Sequence, residues 1–319
     1  MADVEKQIKA VMLGHAVGDA LGVPVEFESR DKLSKSPVTD MIGYGSYPVP
    51  AGAWSDDTSM SLAAMDVLSK GELDDFAIMT NFVKWLENGA FTPTGKAFDV
   101  GHTCLKAIRR FIGLVDSKET NVTFYGSDGE YDNGNGSLMR IHPFSLMTWF
   151  DKRLKSNYEE IIDRASALTH AHERSKLACK IYTLILFHLL EKPRKDSIVS
   201  ALVMAKNRYS DHSEYFHYAR LFSALFNKLS VNEIKSGGYV VDTLEAAVWC
   251  VLTTDSYKDC VLKAVNLGND TDTIAAIAGG LAGVLYGYEA IPKEWLDTLI
   301  KREFIEEMCA RAGNNWSAD

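Results

Sequence analysis

Apolar residues recur at helical spacing along most of this chain. Residues 4–21 carry them on one face, with Ala10, Gly14, Ala16, Gly18 and Ala20 forming a smooth stripe of small side chains. From Thr58 the period resumes with Met60, Leu62, Ala63, Met65, Val67 and Leu68 before Gly71, then Phe76, Met79, Phe82, Val83 and Leu86 before Gly89. That pattern predicts two antiparallel helices. A further helix is expected over 98–111, and others over 158–168, 171–190, 197–206, 214–229, 242–253, 257–267 and 292–312, the last with Pro292 in its first turn. Residues 274–286 have no charge and are crowded with Ala and Gly, which cost helix propensity but let neighbouring backbones come close. This stretch reads as a central buried helix, with 4–21 as its packing neighbour. Regular strand alternation is absent, so the fold class is all-α.

Two stretches break the pattern. Residues 22–53 hold Gly22, Pro24, Pro37, Gly43, Gly45, Pro48, Pro50 and Gly52, too punctuated for a regular element, and 113–136 form a second long polar loop. Loops of that length inside a compact domain are usually functional. The second contains Asp132-Asn133-Gly134-Asn135-Gly136, which suits either a plain turn or a cradle in which backbone N–H groups approach an anion closely. No Ser/Gly/Pro-rich spacer, low-complexity tract or fixed-period repeat divides the chain, and residues 1–319 read as one domain.

Charge narrows the function. With 34 basic and 43 acidic residues, a net of −9, the chain has no basic excess to meet nucleic acid or an anionic membrane. Bound cations can still reverse the field inside an acidic pocket and let it hold a phosphate. The opening Met-Ala-Asp-Val-Glu-Lys does not resemble a secretory signal, and no apolar run is long enough to span a bilayer, so a cytoplasmic monomer is expected. Cys104, Cys179, Cys250, Cys260 and Cys309 lie far apart with no Cys-x-x-Cys pair, which excludes a zinc ribbon and argues for small buried hydrophobes rather than disulfides.

The chemistry concentrates at two helix starts. Ser55-Asp56-Asp57-Thr58 and Asp270-Thr271-Asp272-Thr273 are alike in content, each pairing carboxylates with hydroxyls. Either alone could cap a helix. A cap needs one such residue, however, and four carboxylates brought together would repel unless cations sat between them. Oxygen-only donors suit Mg²⁺ or Mn²⁺, whereas zinc would want Cys or His at ligand spacing. A binuclear centre is therefore expected, with Ser55, Asp56, Asp57, Asp270, Asp272 and Thr273 as ligands.

These residues carry a family resemblance. Gly14-His15-Ala16-Val17-Gly18-Asp19-Ala20-Leu21-Gly22-Val23-Pro24-Val25-Glu26, Ser55-Asp56-Asp57-Thr58, Asn135-Gly136-Ser137-Leu138-Met139-Arg140, Thr169-His170 and Gly268-Asn269-Asp270-Thr271-Asp272-Thr273, in that order, resemble the motifs of the ADP-ribosylglycohydrolases across nearly the whole chain. The resemblance implies a single compact all-α domain with two Mg²⁺ or Mn²⁺ ions at the base of a cleft for ADP-ribose. It matches the six ligands one by one, with Ser55 where Thr is usual. Asn269 and Thr271 also depart from the commonest spelling, at positions that are not ligands.

The same resemblance implies that Glu26 approaches metals and substrate. It also implies that Asn133, Gly134, Asn135, Gly136 and Ser137 bind the ligand, that His170 contacts it, and that Asp99 faces the guanidinium of an arginine-linked substrate; Asp99 is equally suited to capping the next helix. His172 has no such support. The implied reaction is hydrolysis of the N-glycosidic bond between ADP-ribose and a protein side chain, most simply arginine, with Glu26, Asp56 and Asp57 as candidates for handling the proton of the attacking water. Serine-linked or small-ester ADP-ribose, or a silent ADP-ribose-binding protein, are the alternatives.

Overall fold

The computed structural model describes residues 2–117 and 125–316, and among them there are fourteen α-helices and no strand. In chain order they are α1 (Ala2–Gly22), α2 (Arg30–Lys35), α3 (Asp56–Leu68), α4 (Asp75–Asn88), α5 (His102–Ser117), α6 (His142–Phe150), α7 (Tyr158–Ala167), α8 (Glu173–Glu191), α9 (Lys195–Arg208), α10 (Val240–Leu252), α11 (Tyr257–Val265), α12 (Thr271–Tyr286), α13 (Lys293–Thr298) and α14 (Arg302–Trp316). One hydrophobic core runs from Ile8 to Trp316. The fold is a single all-α domain, as expected.

Its axis is the pair α1 and α12. Small residues let these two helices touch backbone to backbone: a Cβ on Gly14 would meet the Gly279 carbonyl oxygen at 2.5 Å, and one on Gly18 the Ala275 oxygen at 2.1 Å. Tyr257 from α11 closes the bundle by donating to the Gly14 carbonyl at 2.7 Å. Helices α10 and α11 pack on α12, α14 packs on α1, and α3 touches both. The N-terminus of α12 thereby comes to lie beside that of α3, although more than two hundred residues separate them.

Several expected elements differ. The helix expected over 214–229 is instead a set of short 3-10 turns at Tyr215–Tyr218 and Phe226–Lys228. Tertiary ties explain this: Arg220 pairs with Glu245 and donates to the Glu233 carbonyl, while Glu214 is held by Arg174, so side-chain anchors override the apolar period. The helix expected over 292–312 is two, α13 and α14, separated by Lys301 at φ +53°. Helix α2 lies within the first long loop. Helix α6, unexpected, starts with Pro143 in its first turn and is buried on nearly every face, so it shows no amphipathic period. Helix α5 starts at His102 and extends to Ser117, into the second expected loop, part of which lies outside the described residues.

The expectation that no apolar run reaches membrane-spanning length is also corrected. α1 has the length and composition, but 94% of its apolar window is buried inside the protein. The five cysteines are free and buried, as expected.

Candidate metal centre

Helix α3 opens on Ser55, whose Oγ accepts from the Asp57 N–H at 3.3 Å and donates to Asp57 Oδ2 at 3.0 Å. Ser55 is thus a real N-cap, and Asp56 and Asp57 follow in the first turn, both buried. Helix α12 opens differently. Asp270 occupies its N-cap position without making a side-chain cap bond, and its carboxylate instead accepts from Asn135 Nδ2 at 2.7 Å. The two helix starts meet where Thr273 Oγ1 donates to Asp57 Oδ2 at 3.3 Å.

Carboxylate oxygens converge there. Asp19, Asp57 and Asp272 each offer an oxygen within 4.8 Å of the others, and so do Glu26, Asp270 and Asp272. Asp272 belongs to both groups. Several of these oxygens are orphans: Asp57 Oδ1, both oxygens of Asp272 and Glu26 Oε2 are buried with no hydrogen-bond partner. Burial first, and then neighbouring carboxylates, raises the pKa of Asp56, Asp57 and Asp272 well above the usual range and pushes Glu26 up to about 9. Acceptor-only groups held this close without donors are a poor arrangement for protein alone and a good one for hard cations. The donor set fits Mg²⁺ or Mn²⁺.

Asp19 takes part although sequence reasoning assigned it no role. Its Oδ1 accepts from the Ser55 N–H at 2.9 Å, and its Oδ2 from the Thr58 N–H and hydroxyl at 3.0 and 2.6 Å. It therefore fixes the start of α3 to α1. The available signal was a charge standing alone in the apolar stretch 10–22, which burial makes costly unless it is partnered.

Beside the carboxylates lies a cavity of about 220 Å³. Glu26, Asp56, Asp99, Gly134, Asn135, Gly136, His170, Asp270 and Thr273 are among the residues that line it. The structure thus brings together most of the candidate residues. Asn133 and Ser137 point elsewhere: Asn133 bonds the Glu130 carbonyl and Ser175, and Ser137 contacts Ser166 and Cys179. Asp99 does not cap α5, which begins three residues later; it accepts from Tyr47. His172 caps α8, its Nδ1 accepting from the Arg174 N–H at 3.1 Å.

Glu26 owes its position to a local backbone tie. The Phe27 N–H donates to the Asn269 carbonyl at 2.7 Å and the Asn269 N–H to the Glu28 carbonyl at 2.8 Å, with Phe27 and Asn269 both at positive φ. The first long loop is thus stitched to the approach of α12, which carries Asp270 and Asp272. Gly268, at φ +76°, passes so close to Arg30 that no side chain would fit.

Residues 1–318 match the ADP-ribosylglycohydrolase family. The chain belongs to that family. It is 34% identical to the ADP-ribosylarginine hydrolase Tri1 of Serratia proteamaculans (strain 568) over 94% of this chain and 77% of that protein. It is 31% identical to the ADP-ribosyl-[dinitrogen reductase] glycohydrolase of Rhodospirillum rubrum over 97% of this chain and 98% of that one. A solved structure described as an ADP-ribosylglycohydrolase-related protein complex superposes with a TM-score of 0.81 at 26% identity, covering all of both chains. The family resemblance seen in the ordered motifs is thereby shown, and the acidic cluster is the part of this ADP-ribosylglycohydrolase fold able to hold metal.

Proposed function

We propose that this chain is a Mg²⁺- or Mn²⁺-dependent hydrolase that cleaves the N-glycosidic bond between ADP-ribose and a modified arginine side chain, acting as one domain over residues 1–319. The observation that carries the reading is the set of orphaned carboxylate oxygens on Asp57, Asp272 and Glu26, of which Glu26 lines the cavity together with Asp56, Asp270 and Thr273. The arginine linkage is supported by the relatives named ADP-ribosylarginine hydrolase.

Ser55, Asp56, Asp57, Asp270, Asp272 and Thr273 would hold two cations, with Asp19 bracing the α3 ligands. Once bound, the ions supply the charge that balances these carboxylates and a field that holds ribose hydroxyls and polarises a water. Glu26 lines the cavity with a free oxygen; bound cations would offset the burial and neighbouring carboxylates that raise its pKa, so that it takes the proton of the attacking water and returns it to the departing guanidine. As the glycosidic bond lengthens, positive charge grows on the ribose ring, and the surrounding carboxylates stabilise it. Asp99 faces the guanidine end, while the backbone of Gly134, Asn135 and Gly136 receives the diphosphate, with His170 beside it. Asn133 and Ser137 support that loop from behind. The same reading has the protein acting in the cytoplasm as a monomer, on ADP-ribosylated protein rather than nucleic acid or membrane.

Arginine-linked and serine-linked ADP-ribosyl substrates, assayed side by side with Mg²⁺, Mn²⁺ or a chelator, test this. Release of ADP-ribose from the arginine-linked substrate, abolished by chelation, is expected. Release from the serine-linked substrate alone would move the reading to O-linked ADP-ribose. Calorimetric binding of ADP-ribose without any turnover would make the chain a silent binder.

A further inference from the structure

Arg140 is completely buried, and among the described residues no carboxylate pairs with it. Its Nη1 donates to the Ala165 carbonyl at 3.1 Å, its guanidinium lies over the Phe82 ring at 5.1 Å, and its Nη2 donates to Thr169 Oγ1 at 2.7 Å. Thr169, also fully buried, then reaches His170 Nδ1 at 2.8 Å. His170 lines the cavity on its other edge.

We propose that Arg140 and Thr169 are positioning residues that fix His170 as a neutral imidazole with its proton on Nε2, aimed into the cavity as a donor to an oxyanion. The argument is a count of protons. A guanidinium can only donate, so Thr169 Oγ1 must accept from it. The threonine hydroxyl has one proton, and His170 Nδ1 is the acceptor beside it. Were Nδ1 protonated instead, two donors would point at Thr169 Oγ1 and its own proton would be left with only the weak acceptor Cys104 Sγ. Cys104 adds no donor at Thr169, because its weak S–H is directed at the Gly136 carbonyl at 3.8 Å, and its sulfur is a weaker acceptor for the threonine proton than an imidazole nitrogen.

The surroundings agree with the assignment. Burial, followed by the positive charge of Arg140, lowers the pKa of His170 to about 3, so the ring remains neutral. Gly134 and Gly136 leave the ring edge clear: a Cβ on Gly136 would stand 2.9 Å from His170 Cε1, and one on Gly134 3.6 Å from Nε2. An N–H donor with an unpaired guanidinium behind it suits a diphosphate received by the Gly134 and Gly136 backbone beside the ring. That this oxyanion is the diphosphate of ADP-ribose rests on the proposed function; the tautomer does not.

Nitrogen-15 NMR of the ligand-free, histidine-labelled protein tests the inference, with the His170 signals assigned by their loss in His170→Gln. The expected spectrum has a protonated Nε2 and a bare Nδ1. Thr169→Ser should preserve it. Thr169→Val should lose the fixed tautomer and weaken binding of ADP-ribose about tenfold, the size of one lost hydrogen bond to a charged group. A wild-type ring protonated on Nδ1 overturns the inference, as does a folded Thr169→Val protein with unchanged tautomer and affinity. Should Thr169→Val lose its helical circular dichroism, the wild-type and Thr169→Ser spectra decide alone. An Nε2-protonated ring in a protein that does not bind ADP-ribose would uphold the tautomer and remove the proposed function.

Discussion

The hydroxyl of Tyr47 donates to Asp99 Oδ1 at 2.9 Å, and the Tyr47 ring packs against Phe98 at 4.9 Å. Asp99 has φ +53°, a left-handed conformation that a non-glycine residue adopts at a cost of about 1 kcal/mol or more. The tyrosine holds the carboxylate at the cavity, where the proposed function puts the guanidinium. Asp99→Asn, which tolerates the same backbone, should therefore lower kcat/KM on arginine-linked substrate about 10- to 100-fold through loss of a charge-assisted bond. Tyr47→Phe should cost about three- to tenfold, less than Asp99→Asn, because it loosens the carboxylate without removing its charge. Steady-state kinetics that left both variants at the wild-type value would remove Asp99 from substrate recognition.

Close approach of α1 to α12 makes a second prediction. A Cβ on Gly22 would stand 2.3 Å from both the Cα and the N of Asp272, so Gly22→Ala must displace the carboxylate common to both acidic groups. Mn²⁺ binding by calorimetry should weaken in this variant while helical circular dichroism persists. Gly18→Ala, against the Ala275 carbonyl, should cost about 1–3 kcal/mol of stability in urea through overpacking. Gly113→Ala is the contrast: nothing lies within 4 Å of its Cβ in the middle of α5, and it should stabilise by about 0.5–1 kcal/mol. Equal effects at Gly18 and Gly113 would contradict the packing account.

Helix content was legible because most helices bury one face, which writes a period into the sequence, as in α4 with Ile78, Met79, Phe82 and Trp85 inside. Helix α6 was not, because burial on nearly every side leaves no period to read. The turns at Tyr215–Tyr218 and Phe226–Lys228 misled for the opposite reason: Tyr218, Leu221, Phe222 and Phe226 are buried at helical spacing, yet distant partners of Glu214 and Arg220 set the backbone. At the site, repeated Ser/Thr/Asp chemistry made the two helix starts visible. The bridging of Asp19 to Ser55 and Thr58, and of Arg140 to Thr169, depends on which side chains face each other across elements, and spacing along the chain does not contain that.

Acid should destabilise the protein through three buried histidines. Burial dominates at each: His15 and His170 are lowered to about 3, and His142, its ring centroid 4.2 Å from that of His15 and tilted to it by 37°, lies well below its ordinary value. Because the folded pKa is depressed, the unfolded chain takes up protons first as pH falls below about 6.5. The stability present above that pH is lost on the way toward 3, by about 1.4 kcal/mol per pH unit for each proton. Asp57 and Asp272, whose pKa is raised, act with the opposite sign when metal is absent. Comparison at fixed Mn²⁺ isolates the histidine contribution: between about pH 6.5 and 5.5, His142→Asn should unfold in urea with a slope shallower by about one proton. An unchanged slope would mean that His142 is charged in the folded state or never protonates on unfolding.

Both oxygens of Asp272 are buried without a donor, which gives the proposed metal centre a thermodynamic signature separate from catalysis. Cations that bind only the folded state stabilise it by about 2.7 kcal/mol at a concentration one hundred times Kd. Wild-type Tm should therefore rise with Mn²⁺ or Mg²⁺ and fall on chelation. Asp272→Asn removes one charge from a crowd of carboxylates and adds a donor beside them. In chelator it should melt at or above the wild-type temperature, because repulsion is relieved; in Mn²⁺ it should gain much less than the wild type. Activity should be lost in the same variant. The pairing of higher metal-free stability with lost metal response distinguishes a ligand from a structural carboxylate, whose removal would lower Tm under both conditions.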